Sequence, residues 1–256
     1  MLPYHRQVFV WHNETSNPTR IIVNSTDILL GLFVSSTGDI YISHRKTSTV
    51  QKWVTTTNTL ETVARFRGEI IGIFIALNNV LYCSLLNTHQ IVTKSLHNNS
   101  FLVEVVAGIG ISGSESYQLN RPMGIFVTEN FDLYVADSQN HRLQLFHSGD
   151  TIGTTIVQAS DTNPALSEPK SVVLDANNHI YIQDGNIGSI FRSGSSGFQC
   201  IVACTGSSGI LSDQLKTPHS IALDVYGNIF VADSGVFRVQ KFSIVKNTCG
   251  EYKLLS

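Results

Sequence analysis

Aspartate recurs at the ends of short alternating apolar stretches in this chain: Asp137 closes "LYVAD", Asp184 closes "IYIQD" and Asp233 closes "IFVAD". Three carboxylates are a formal candidate for a cation site. A residue that returns once per repeat at a strand-to-turn junction is better suited to accepting backbone N–H groups in an Asx-type turn, because its short side chain folds back onto the chain. The sequence therefore predicts structural turns at Asp137, Asp184 and Asp233. Arg142 and Arg238 follow the first and third of these by five residues and are expected to pair with the carboxylates or stack on aromatics. No metal or cofactor is expected. There is no G-x-S-x-G elbow and no H-E-x-x-H, and "GIGISG" from Gly108 leads into a strand rather than a helix, so it is no phosphate cradle.

The remaining chemistry-bearing residues sit in segments that precede apolar strands. Tyr117, Arg121 and Met123 come before one such strand, Glu168 and Lys170 before a second, and Lys216 and His219 before a third. Together they form a candidate binding face of mixed polar and apolar character. Four cysteines, Cys83, Cys200, Cys204 and Cys249, follow neither a C-x-x-C nor a His-bearing zinc pattern, and a 256-residue chain does not need staples. They are expected to be buried free thiols.

Composition limits the partners. Formal net charge is −2 with 17 basic and 19 acidic residues, so no overall field recruits DNA or acidic membranes. Apolar runs such as "IIGIFIAL" fall short of the roughly 18 residues of a membrane span. The N-terminal "MLPYHRQVFVWHNE" lacks the apolar core and small-residue cleavage site of a secretory signal, which implies a cytoplasmic chain. Three sequons, at Asn13, Asn24 and Asn98, are no more than chance supplies at this Ser and Thr content.

What must position these residues is a repeat. Counting from Gly31, Gly72, Gly124, Ser171 and Ser220, an aromatic residue falls ten positions on each time: Tyr41, Tyr82, Tyr134, Tyr181 and Phe230. The phrases "AGIGISGSESYQLNRPMGI" and "ACTGSSGILSDQLKTPHSI" match without a gap 96 residues apart, two repeats, and the register holds to Phe146 and Phe242. Each copy reads as an apolar strand, a turn, an alternating strand, a turn, a third strand and then a fourth ("LVEVVA", "FQCIVA") before the next start. Four strands per repeat without helical periodicity predict an all-β propeller of four-stranded antiparallel blades, five clear and a partial sixth. The first strand is apolar on both faces because it lines the crowded centre. "QVFVW" and "TRIIV" read as the last two strands of that sixth blade. Residues 1–256 are taken as one propeller domain; whether terminal strands complete a joint blade, or the array is incomplete at one or both ends, stays open.

The phrase running from Pro122 through "GIFV", "DLYVADSQNHRLQLF" resembles the NHL repeat, with Asn140, His141 and Leu143 at the naming positions. The likeness is strong at 107–146 and 203–242 and weak at 31–53 and 72–94, where the aspartate becomes His44 and Leu85. Those two blades are expected to have looser turns. The resemblance implies recognition: NHL propellers bind protein, some bind RNA through a basic face, and many are the substrate-recognition ends of ubiquitin ligases. Four cysteines cannot make a RING. Peptidyl-amidoglycolate lyase shares the blade pattern and holds zinc with histidines that begin inner strands. Here only "TPHSIALD" carries one, His219, while Leu30, Ile71, Met123 and Lys170 stand at the other copies, so a three-ligand zinc site is not formed. The expected function is a non-catalytic scaffold for a protein or peptide. The alternatives are RNA, through Arg121, Lys170, Lys216 and His219, the substrate-recognition part of a ubiquitin-ligase-type NHL protein, and a disfavoured lyase- or hydrolase-like enzyme.

Overall fold

The computed structural model describes residues 7–10, 20–97, 102–205, 209–246 and 252–255. Among the described residues two strands, β1 (Gln7–Val10) and β2 (Arg20–Asn24), pair only with each other. Five four-stranded antiparallel blades follow. Blade one holds β3 (Leu29–Val34), β4 (Ile40–His44), β5 (Thr49–Val54) and β6 (Thr59–Arg65). Blade two holds β7 (Ile70–Ile75), β8 (Val80–Leu85), β9 (Gln90–Ser95) and β10 (Glu104–Ala107). Blade three holds β11 (Pro122–Val127), β12 (Leu133–Asp137), β13 (Arg142–Phe146) and β14 (Thr154–Gln158). Blade four holds β15 (Pro169–Leu174), β16 (Ile180–Asp184), β17 (Ile190–Gly194) and β18 (Gly197–Val202). Blade five holds β19 (Pro218–Leu223), β20 (Ile229–Asp233), β21 (Arg238–Lys246) and β22 (Tyr252–Leu255). Among the described residues the helical segments are single 3-10 turns at Ser138–Asn140, Ala159–Asp161 and Ser234–Val236. No helix among them is long and apolar enough to cross a membrane.

The first strands β3, β7, β11, β15 and β19 stand side by side in chain order. β7, β11 and β15 are apolar on both faces, and each is flanked by a first strand on both sides. The core accordingly lies between blades. Tyr41 and Val50 of blade one pack with Ile73 and Leu81 of blade two, Tyr82 and Ile91 with Ile125 and Val135 of blade three, and Leu143 and Val157 with Val172 and Ile182 of blade four. Tyr181 and Ile190 pack in turn with Ile221 and Val231 of blade five.

Glycine at the start of these strands answers a steric demand. A Cβ on Gly31 would stand 2.6 Å from the carbonyl oxygen of Ile71, one on Gly72 2.5 Å from that of Met123, and one on Gly124 2.6 Å from that of Lys170. Each such oxygen belongs to the first strand of the next blade. In every blade the register between first and second strands shifts at this point, a bulge that bends the first strand along the centre. The second strand adds a bridge: the Ser43 hydroxyl accepts the Gly31 N–H at 2.7 Å, and the Ser84 hydroxyl accepts the Gly72 N–H at 2.7 Å and donates to the Met123 carbonyl at 2.5 Å. In blade four the longer Gln183 amide donates to the Pro218 carbonyl at 3.0 Å.

One expectation needs correction. Cys83 is a buried free thiol whose pKa burial pushes well above its ordinary value, but Cys200 and Cys204 are joined in a disulfide. The chain leaves β18 through Ala203 in a left-handed conformation (φ 52°), which returns Cys204 alongside Cys200 with the Cα atoms 5.6 Å apart. Cys249 lies outside the described residues. On the closure that the sequence leaves open, β22 pairs with β21 and completes blade five, and among the described residues the terminal strands share no blade.

The close approach at the centre sets a first test. Gly72→Ala, which places a methyl group against a carbonyl, should lower stability by about 1–3 kcal/mol. Gly194→Ala, whose Cβ would meet nothing nearer than 3.7 Å, should change it by about 0.5 kcal/mol or less. Denaturant titration of both variants separates crowding from a generic loss of glycine.

Candidate recognition face

The segments that precede each first strand lie at the same end of the propeller as the turns that follow each second strand, and buried carboxylates tie the two together. Asp137, fully buried, accepts the N–H of Asn120 at 2.6 Å with one oxygen; the other takes the Asn140 amide at 2.7 Å and Arg142 Nε at 2.8 Å. Asp184 accepts the N–H groups of Ser167 and Glu168 at 2.5 and 2.9 Å, and those of Asn186 and Ile187 at 2.9 and 3.1 Å. Asp233 accepts those of Lys216 and Thr217, both at 3.0 Å. Each of these aspartates accepts backbone N–H groups. Their main partners are 16 or 17 residues upstream, however, so they hold the leading loops rather than closing only a local turn.

Arginine extends the clamp. Arg142 donates from Nη1 to the Ser114 carbonyl at 2.7 Å and from Nη2 to those of Glu115 and Gln118 at 3.1 and 3.0 Å. Arg238 repeats this with Ile210, Leu211 and Gln214 at 2.9, 3.1 and 2.6 Å, and pairs with Asp233 at 3.3 Å. A guanidinium can do this because its five donors radiate in one plane. Burial pushes the Asp137 carboxyl upward in pKa, against the lowering effect of Asn120, Asn140 and Arg142.

Blade one was expected to be loose, lacking the strand-end aspartate. Its carboxylate has instead moved to the other side of the same contact. Asp27, in the leading loop, is buried and accepts the N–H groups of Lys46 (2.9 Å), Thr47 (3.0 Å) and Ile28 (2.6 Å) and the Thr47 hydroxyl (3.1 Å). Burial raises its pKa, but these donors outweigh burial and the net shift is downward. In blade two, Glu69 links Arg45 at 2.7 Å to Asn87 at 3.3 Å.

The predicted binding residues divide between surface and frame. Tyr117, Arg121 and Lys216 are exposed on the leading loops. Arg121 has a left-handed backbone (φ 54°), and its N–H donates to His89 Nδ1 of the preceding blade at 3.0 Å. Met123 is half-buried and its carbonyl belongs to the central contact. Lys170 lies largely covered, its aliphatic chain over Gly185, and faces Glu168 at 3.5 Å. His219 is exposed on one side; desolvation and then the Lys170 charge lower its pKa while Glu168 opposes them, so these three residues form one electrostatic group. The loops also expose apolar side chains not singled out from sequence, Ile109 and Ile111 on one and Ile210 and Leu211 on its counterpart. Among the described residues, no three His, Cys, Asp or Glu side chains come together as metal ligands would.

The opposite end carries a concavity, a funnel of about 860 Å³. Phe33, Phe74 and Phe126, two positions after Gly31, Gly72 and Gly124, stack around it with ring centroids 4.8 and 5.2 Å apart. The recurring phenylalanine is visible in the repeat alignment, but nothing in sequence separates a channel-lining ring from a core one.

A family model for the NHL repeat matches residues 215–242. A mouse protein, NHL repeat-containing protein 3, is 29% identical over 141 residues, covering 50% of this chain and 40% of that relative's length. Among solved structures, virginiamycin B lyase from Staphylococcus aureus superposes with a TM-score of 0.62 at 13% identity, covering 89% of this chain and 69% of the lyase. A chain of the nidogen/laminin complex superposes with a TM-score of 0.71 at 13% identity, covering 95% and 86% of the two chains. At such identities the structures share the fold alone.

Two measurements test the clamps. Asp137→Ala leaves Arg142 without its carboxylate and should cost about 3–5 kcal/mol, the usual range when one partner of a buried pair is removed. A loss below about 1 kcal/mol would mean that the pair does not secure the loop. Asp27 has a folded pKa below its unfolded value near 3.9, so its stabilisation is present above that value and is lost as pH falls through the folded pKa. Melting temperature should therefore fall on acidification below about pH 4, and less steeply in Asp27→Asn.

Proposed function

The chain is an NHL-repeat β-propeller, and on that premise we propose that it is a non-catalytic interaction scaffold whose leading-loop end receives a protein or peptide. One observation carries this reading: the long loops before blades three and five are fastened by Arg–Asp pairs whose aspartates are fully buried, and yet they present bare isoleucine and leucine along with Tyr117, Arg121 and Lys216. An ordered loop that keeps aliphatic side chains in water suits a surface that another protein will desolvate. Polyphosphate recognition would require cations there, and Lys170 is drawn instead into contact with Glu168. The nidogen/laminin structure is that of a complex between proteins, which agrees with this use of the frame without fixing a partner here. The mouse relative is matched over less than half its length, so the activity of a longer protein is carried over only as a proposal.

Within this reading residues 1–256 act as one domain. The Cys200–Cys204 disulfide favours an oxidising compartment over the cytoplasm expected from the N-terminal sequence, because such bonds persist where thiols are not kept reduced.

Affinity capture from cell extract tests the face. The double variant Arg121→Glu with Lys216→Glu should lose at least about tenfold of the recovered partner, whereas Glu129→Lys at the far end should not. Loss of the captured material on nuclease treatment, with steep salt dependence, would install RNA as the ligand. Unchanged capture by the double variant would remove the proposed face.

A further inference from the structure

The funnel at the end away from the leading loops is walled unevenly. Two residues after the starting Gly or Ser, blades one, two and three carry Phe33, Phe74 and Phe126, whereas blade four carries Val173 and blade five Ala222. Side chains two apart on a strand share a face, so each phenylalanine stands on the same side as its glycine, the side that meets the next blade. The rings accordingly run from blade to blade: Phe33 is tilted at 54° to Phe74, and Phe74 meets Phe126 edge-on at 62°. All three are half-buried, and the open volume of the funnel lies against them.

Charge at the same mouth is one-sided. Asp39, Glu129 and Asp175, from the turns between first and second strands of blades one, three and four, line the funnel with Lys52 as the single cation. Lys52 is not open to an anion, because its Nζ stands 2.8 Å from Asp39 and 5.8 Å from the centre of the Tyr41 ring. Asp175 is engaged too, accepting the N–H groups of Asn177 and His179 at 2.9 Å each and the Tyr181 hydroxyl at 3.2 Å. Glu129 differs. It is exposed and, among the described residues, its carboxylate has neither hydrogen bond nor ion pair.

Size and chemistry together narrow the occupant. The volume of about 860 Å³ falls within the roughly 300–1,000 Å³ of small-molecule sites. Aromatic faces attract cations, and a rim of one sign around apolar walls focuses its field inward. An anion would meet three carboxylates. A neutral apolar molecule would cover the rings and leave Glu129 without a counter-ion. An inorganic cation would leave the rings wet, and among the described residues no three His, Cys, Asp or Glu side chains converge as a metal requires.

We propose that the funnel binds a small organic cation, an amine or quaternary ammonium carried on an aromatic body. The body packs against the wall of Phe33, Phe74 and Phe126, and the nitrogen is met by Glu129, with Asp39 and Asp175 adding to the negative potential. Walls supplied by four blades suit a free small molecule. A lysine or arginine side chain reaching in from a docked polypeptide would leave most of the volume unfilled. The site is separate from the leading-loop face, since none of its lining residues belongs to a leading loop.

Fluorescence titration of the 256-residue protein tests this with two probes: berberine, an aromatic quaternary ammonium whose emission rises in apolar surroundings, and anilinonaphthalene sulfonate, an aromatic anion. Berberine should bind saturably at one site, and the sulfonate at least about tenfold more weakly. Phe74→Leu removes the ring but keeps an aliphatic side chain, and Glu129→Gln removes the charge but keeps the shape; each should weaken berberine binding at least about fivefold. Glu129→Gln should leave the melting temperature unchanged, so its loss of binding reads the site even if Phe74→Leu lowers stability. The proposal is overturned by absence of saturable berberine binding, by equal affinity for the sulfonate, or by unchanged affinity in Glu129→Gln. Displacement of berberine by tetralysine at a lower concentration than by phenethylamine would make the occupant a polypeptide side chain, and would also overturn it. Capture through the leading loops is a separate readout that neither variant alters, so failure of one reading leaves the other standing.

Discussion

The approach of one first strand to the next at the centre of the propeller governs the rest of the molecule. With a carbonyl oxygen of the next strand about 2.5 Å from where a Cβ would stand, blades one to three require glycine at that point. Strands this close leave no room between them for water, so they are apolar on both faces. The bulge at the same point bends each strand and allows the second strand's hydroxyl or amide to bridge to the neighbour. Once the centre is fixed in this way, large side chains are forced outward into the layers between blades, where Tyr41, Tyr82 and Tyr181 recur in equivalent positions.

The second constraint concerns polar backbone. A leading loop of more than ten residues exposes N–H and C=O groups that no strand satisfies, and where it dips beneath the surface those groups need partners. Aspartate supplies acceptors and arginine supplies donors, from opposite ends of the same turn. A loop held by both keeps its shape while its outward side chains vary. Blade one shows that the contact matters more than the residue's address, since Asp27 reproduces it from the loop side.

Architecture was legible in the sequence because it depends on residues that repeat. The glycines, the aromatic ten positions on and the strand-end aspartates mark the blades without reference to any neighbour in space. What was not legible depends on single, unrepeated solutions. Asp27 stands outside the repeat register, so blade one looked unanchored. The Cys200–Cys204 bridge depends on a left-handed turn at Ala203 that no residue type announces. Lys170 read as a surface cation because nothing in the sequence shows that Gly185 opens a space for its aliphatic chain. The funnel behind Phe33, Phe74 and Phe126 was hidden for a related reason: an apolar residue on a two-sided apolar strand does not declare which side is wet.

Buried carboxylates hold the leading loops in place, so that this end of the propeller has its shape in the unbound protein. Amide hydrogen exchange on the unbound protein tests it most directly. The N–H groups of Asn120, Ser167, Glu168, Lys216 and Thr217, all donated to aspartate, should exchange orders of magnitude more slowly than unstructured peptide, with protection approaching that of the strands. Exchange at these five amides as fast as in a free peptide, with the strands still protected, would show that the loops are not held and would contradict the account.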